Sequence, residues 1–309
     1  MERREQSDDD RTVGYLAIDL GPTRLHAGVV DDAGEVVVRD RITTPARNVW
    51  PALTQLVSRV VAANQSEVTP AVCGVTCPGP IDRGTGAMKP VGMPIWHDFP
   101  LRRELGEVTG LPVEVETPGR GLALAEMWVG EVAQHPAAAA EFATLALGDG
   151  VDGAVVARGR MLEGLTGNLG QFGHLIVEPD GLTCACGAIG CLTAYAGARG
   201  IEASTGRELR RTPLAIAERT GIMVARACAT LAAMLDVADI VIGGVVPSTL
   251  GQPFFDALER ELDQRVGLSH LAELRVRGVA LDPLVSAAAV ARRAASELAT
   301  GELDDPAAQ

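Results

Sequence analysis

The segment Val13–Leu20, "VGYLAIDL", is an almost unbroken apolar run, the pattern of a strand buried on both faces. A four-residue turn, "GPTR", follows, and "LHAGVVDDAGEVVVRDRITTP" reads as two further strands about an Asp-Asp-Ala-Gly turn. Helical spacing then takes over, and Trp50–Asn64 predicts an amphipathic helix. "AVCGVTCPGPIDRGTG" returns to a buried strand that ends at a Pro-Gly-Pro turn. Leu101–Thr109 predicts a short helix and Val113–Glu116 a strand. Thr117 is a suitable N-cap and Pro118 a suitable first residue for the helix running on through Gly121.

The same order then restarts. "FATLALGDGVDGAVVARGRML" predicts a strand, a glycine-rich turn, a second strand and a short hairpin. A cysteine-rich insert precedes a long apolar helix over Thr220–Leu235, and "ADIVIGGVV" reads as a strand with a Gly-Gly turn. Phe254–Arg265 predicts an amphipathic helix, "VRGVAL" a strand and Leu284–Leu298 an alanine-rich helix. Two similar α/β halves with glycine-rich turns at strand ends predict two domains around a cleft. Residues 1–118 with 286–309 form the smaller, and 119–285 the larger, carrying the cysteine-rich loop. The turn after the first strand leads into another strand, unlike a P-loop or Rossmann turn, which opens a helix.

With 309 residues, 47% of them apolar and only 3% aromatic, the core has to be built from Ala, Val, Leu and Ile. A net charge of −13 argues against nucleic acid or an anionic membrane surface as partner. The opening "MERREQSDDDRT" is polar and lacks a signal-peptide stretch, and no later run is apolar enough for a membrane span. The expectation is a soluble cytoplasmic protein.

"HLIVEPDGLTCACGAIGC" sets His174 ahead of Cys184, Cys186 and Cys191. Three thiolates and one imidazole complete a tetrahedral zinc shell with no place left for water, so the expected role is structural; free thiols in a loop are the alternative. Gly187 and Gly190 let the loop turn back on itself. Cys73, Cys77 and Cys228 fall in apolar segments and read as packing residues.

"CACGAIGC", with Gly173-His174 ahead of it, resembles the Cys-x-Cys-Gly-x-x-Gly-Cys signature of the ROK proteins (repressors, open reading frames and sugar kinases). The resemblance runs from "AIDLGPTR" to "LVSAAAVARR" and implies a hexokinase- and actin-like fold of two ribonuclease-H-like domains, commonly as a homodimer. ROK repressors carry an N-terminal winged helix; about a dozen residues precede the first strand here, so a DNA-binding role is not expected.

The resemblance also exposes departures. The kinase phosphate loop, Asp-x-Gly-Gly-Thr-Lys, reads Asp19-Leu20-Gly21-Pro22-Thr23-Arg24, where Pro22 removes a backbone donor. The second loop, usually Gly-Thr-Gly-Ile-Gly-Gly-Gly, reads Gly148-Asp149-Gly150-Val151-Asp152-Gly153-Ala154. A carboxylate about 4 Å from a phosphate costs on the order of 4 kcal/mol at an effective dielectric near 20, a sign that Mg²⁺ can reverse. The adenosine-side turn is Gly243-Gly244-Val245. ATP and Mg²⁺ are therefore doubtful cofactors at this level.

On the sugar side, Glu-Asn-Asp-Ala-Asn aligns with Glu116-Thr117-Pro118-Gly119-Arg120. The resemblance makes that aspartate the general base, and Pro118 supplies no acceptor, a loss worth about 10²–10⁴-fold. Gln171 replaces the glutamate ahead of His174, Thr193 the glutamate after the last cysteine, and Gly92 the asparagine before Pro-x-Trp. The implied ligand pocket comprises Gly79, Gly92, Trp96, Thr117, Pro118, Gln171, His174 and Thr193. His97, Asp98, Asp149, Asp152 and Arg120 are candidates for catalysis, with Trp96 able to wall a pocket for a flat or apolar ligand.

Three functions fit these residues. The first is a sugar-kinase homologue that has lost hexose phosphorylation and binds or transforms another small molecule, for example in specialised metabolism. The second is a sugar or cyclitol kinase with a relocated base. The third is a non-catalytic regulator or scaffold.

Overall fold

The computed structural model describes residues 12–66, 68–135 and 141–301; the polar N-terminal stretch and the last eight residues lie outside them. In the first half, strands β1 (Thr12–Leu20), β2 (Arg24–Asp31) and β3 (Val36–Thr43) form an antiparallel meander. Helix α1 (Val49–Ala63) leads to β4 (Val68–Thr76), which runs parallel to β1. A small hairpin, β5 (Ile81–Asp82) and β6 (Ala87–Met88), precedes α2 (Leu101–Thr109) and β7 (Val113–Glu116). Helices α3 (Pro118–Trp128) and α4 (Glu131–Gln134) close the half.

The second half opens with β8 (Glu141–Leu147), β9 (Val151–Ala157) and β10 (Arg160–Met161). Helices α5 (Leu192–Ala196), α6 (Ala198–Thr205) and α7 (Leu214–Leu235) follow. Then come β11 (Asp239–Gly243), α8 (Val245–Leu250), α9 (Gln252–Arg265), β12 (Arg275–Gly278) and α10 (Pro283–Thr300). The two five-stranded sheets run β3-β2-β1-β4-β7 and β10-β9-β8-β11-β12, one topology used twice.

Burial sets the layers. Leu16, Ile18 and Val75 pack with Leu53, Leu56 and Leu105 of α1 and α2 on one face of the first sheet. Tyr15, Ala17 and Val72 on its other face meet Ala287, Ala288 and Ala291 of α10. A Cβ on Gly74 would stand 2.0 Å from the Ala287 carbonyl oxygen, so that close approach requires glycine. Helix α3 lies between α10 and the second sheet: Leu124 and Ala125 meet Val285 and Ala289, and Ala123 meets Phe142, Ala154 and Val241. Covered on both sides, α3 is buried along most of its length, which accounts for its weak amphipathicity. The second sheet's remaining face rests on α5, α7 and α9.

Two readings of the pattern need correction. Helix α7 starts at Leu214, six residues before Thr220; its first turn, Leu-Ala-Ile-Ala, has Leu214 exposed, and Glu218 and Arg219 interrupt the apolar run ahead of Thr220. In "IGGVV" the strand stops at Gly243; Gly244, at φ 109°, turns the chain, and Val245 and Val246 begin α8 despite their β-branched side chains. Among the described residues no helix is long and apolar enough to cross a membrane.

Candidate active site and zinc centre

Helix α3 begins at the joint between the halves. Thr117 is extended, makes no side-chain cap bond, and Pro118 follows it in the first turn. The first N–H available is that of Gly119, which donates to Asp152 Oδ1 at 2.5 Å. Asp152 thus caps from the opposite sheet a helix whose own N-cap residue does not. Thr144 Oγ1 donates to the Gly119 carbonyl at 2.7 Å, and a Cβ on Gly119 would come within 2.3 Å of Gly153 Cα. The helix start is clamped onto β8 and β9. Burial pushes the Asp152 carboxyl up to about 7, against the opposing pull of the Gly119 N–H and Arg120, while part of its surface stays open.

Asp19 ends β1. Its Oδ1 accepts from Thr76 Oγ1 at 2.8 Å, and His26 Nδ1 lies 3.6 Å from Oδ2. Burial raises this carboxyl to about 6, and the charge of Asp149 adds to the rise. Burial also lowers the His26 pKa, and its Nε2 is buried without a partner among the described residues. The Cys77 thiol is pushed up first by burial and then by Asp152, Glu116 and Asp19.

The two glycine-rich turns meet. Thr23 Oγ1 donates to Asp149 at 2.9 and 3.1 Å to the two carboxylate oxygens, and the Thr23 N–H donates at 3.3 Å. A Cβ on Gly21 would sit 3.3 Å from Asp149 Oδ2. The Gly21 N–H folds back on the Arg24 carbonyl at 2.9 Å. Gly148 and Gly150 share a 2.9 Å backbone bond, and the Ala198 N–H anchors the Gly148 carbonyl. Gly243 presses on Leu122, and Gly244 on the Leu147 carbonyl.

Of the implied ligand pocket, Gly79, Thr117 and Gln171 come together: a Cβ on Gly79 would lie 2.9 Å from Gln171 Nε2 and 3.1 Å from Thr117 Cγ2. The Gly92 carbonyl accepts from Arg199 at 2.8 Å. Thr193 Oγ1 is buried with no partner among the described residues and packs against Gly173, next to His174. Trp96 is 3% exposed, with its ring 4.7 Å from that of Phe99 in the first half's core.

His97 and Asp98 are exposed and pair with each other at 2.8 Å, and Lys89 reaches Asp98 at 3.0 Å. Arg120 is buried, bonded to Glu116 at 2.7 Å, Glu163 at 2.7 Å and the Leu162 carbonyl at 2.9 Å. Asp98 and Arg120 sit in ion pairs and His97 lies against Asp98, whereas Asp149 and Asp152 face the joint between the sheets. His26 was not among the candidates. Its signal was the four-residue turn, which sets Asp19 opposite His26 in the β1–β2 register.

His174, Cys184, Cys186 and Cys191 bring their ligand atoms within 4.8 Å of one another. Tetrahedral zinc with bonds of about 2.3 Å to sulfur requires thiolates roughly 3.8 Å apart. Cys186 Sγ and Cys191 Sγ stand at 3.8 Å, and Cys184 Sγ lies 3.9 Å from His174 Nδ1. The donor set fits zinc, and these four residues could hold it. Cys73, Cys77 and Cys228 are buried as free thiols.

Similarity to known proteins extends over most of the chain. It is 33% identical over 191 residues to a glucokinase of Thermotoga maritima and 32% identical over 249 residues to an N-acetylmannosamine kinase of Citrobacter koseri. These matches span 60% and 75% of this chain, and 58% and 83% of the two relatives' own lengths. A ROK hexokinase structure from Thermus thermophilus superposes with a TM-score of 0.72 at 28% identity, covering 92% of this chain and 99% of that one. The structure of a ROK glucokinase from Streptomyces griseus in complex with glucose and AMPPNP gives 0.76 at 23% identity, covering 91% and 99%. Residues 15–272 match the ROK family, and the chain belongs to it.

Proposed function

We propose that this protein is a sugar-kinase homologue that transfers the terminal phosphoryl group of ATP to a hydroxyl of a sugar-like molecule other than a plain hexose, with Asp152 as general base. The observation that carries the reading is the Asp152 carboxylate on the Gly119 N–H. It places an acceptor beside Pro118, where the family motif has its aspartate, and a proton affinity near 7 suits a base working at neutral pH. Kinase names among the relatives and AMPPNP in one related structure support ATP as donor, against the doubt raised by the loop sequences.

Altered ligand positions support a different acceptor. Gly92 turns its carbonyl to Arg199, Gln171 packs on Gly79, and Thr193 offers a hydroxyl in place of a carboxylate. Zinc at the cysteine cluster would act structurally, holding His174 and its loop. The homodimer implied by the family resemblance belongs to the same proposal, and light scattering in solution tests it.

The test is ATP turnover with a panel of hexoses, N-acetylhexosamines and cyclitols. A productive acceptor should emerge, and Asp152→Asn should lower kcat by about 10²–10⁴-fold. Turnover untouched by that change would remove Asp152 from the mechanism. Absence of turnover with every acceptor would favour the non-catalytic reading.

A further inference from the structure

The turn between β1 and β2 already holds an anion, and the anion comes from the same chain. A hydroxyl and a backbone N–H of Thr23 both donate to Asp149, which belongs to the corresponding turn of the other sheet, 126 residues away. Adjacent N–H and hydroxyl donors on a glycine turn are a general device for binding phosphate or carboxylate. Here Gly21 also leaves room for the carboxylate, since its missing Cβ would stand 3.3 Å from Oδ2. The Asp149 carbonyl is fixed in turn by the Arg199 N–H at 3.3 Å.

We propose that Asp149 is a built-in substitute for the terminal phosphate: its carboxylate occupies the Thr23 donors, and a nucleotide must displace it to seat its last phosphoryl group. Asp149 therefore selects against ligands that carry a terminal phosphate and ties the two sheets together while the site is empty. Its elevated proton affinity, caused by burial, agrees with a carboxylate held away from water. The inference rests on the nucleotide reading above, but it concerns binding and needs neither an acceptor nor Asp152.

The test is equilibrium titration of the full chain with AMPPNP in Mg²⁺, and separately with adenosine, by calorimetry. Asp149→Ala should bind AMPPNP about tenfold or more tightly than the unaltered protein, as expected when charge-assisted donors are freed, and adenosine equally well in both. Asp149→Asn, which keeps the side chain's volume, should show part of the gain and serves as the second variant if the alanine form folds poorly. Adding Thr23→Val to Asp149→Ala should abolish the gain, while Thr23→Val alone should change AMPPNP binding little. Unchanged or weaker AMPPNP binding in both Asp149 variants would overturn the proposal, as would an equal gain for adenosine. If the gain appears but no acceptor is ever phosphorylated, the clasp stands and the assignment of Asp152 as base fails.

Discussion

Asp152 and Asp19 hold protons more tightly in the fold than in the open chain, at about 7 and about 6 against an ordinary 3.8, because burial disfavours their charged forms. A raised pKa makes a stability contribution that is complete below about pH 4 and disappears as pH rises through 6 and 7. If Asp152 is the base, the same ionisation that weakens the fold switches activity on. Melting temperature should fall between about pH 4 and 7 and level off above, while kcat/KM for the acceptor climbs with an apparent pKa near 7. Asp152→Asn should shrink the fall and flatten the melting profile above about pH 6, where Asp19 no longer contributes; a variant that melts with the original pH dependence would mean that Asp152 does not carry it. The loss at Pro118 was legible because an absent acceptor can be read from residue type alone. Asp152 was legible as a candidate by residue type, but its place was not, because that depends on the start of β9 in one sheet reaching the first turn of α3 beside Pro118.

Among elements, the cysteine-rich loop was the most legible. Four ligands crowded into eighteen residues admit few geometries, and the spacing that predicted the site also builds it. Isolated bridges pair Ile176 with Cys191 and Thr183 with Ile189, a small scaffold that a bound metal would largely hold together. Chelation should therefore lower the melting temperature and loosen His174, which shares a short helical turn with Gly173. Cys184→Ser should reproduce the loss and bind less than one equivalent of zinc by elemental analysis. Full stability and activity after complete zinc removal would contradict the structural role. The short helices α5, α6 and α8 were illegible for a different reason: they are too brief to show a period. Their ends are set by Gly197, Gly206 and Gly244, and those glycines read equally well as turns.

At the scale of the whole molecule the halves are joined by charge as well as by α3 and α10. Glu116, 1% exposed at the end of β7, meets Arg83 at 2.6 Å, Arg120 at 2.7 Å and Arg293 at 2.7 Å. Glu163, beyond β10, extends the cluster by reaching Arg120 and Arg83 from the second half. Sequence alone suggested Arg120 for chemistry because it lies in the altered motif, near the cleft by fold analogy; nothing in the motif reveals that Leu162 and Glu163 fold back to enclose it. Removing one partner of a buried pair leaves a stranded charge, at a cost of about 3–5 kcal/mol. Glu163 is half exposed, and pairs of that kind contribute about 1 kcal/mol or less. Arg120→Ala should accordingly lower the melting temperature by roughly 6–15 °C and Glu163→Gln by no more than about 4 °C. High salt should erase most of the Glu163 effect and little of the Arg120 effect, because screening acts on exposed charge. Scanning calorimetry at low and high salt separates the two: a small, salt-sensitive loss at Arg120 would mean that Arg83 and Arg293 suffice to neutralise Glu116, and that the cluster is redundant where the geometry makes it indispensable.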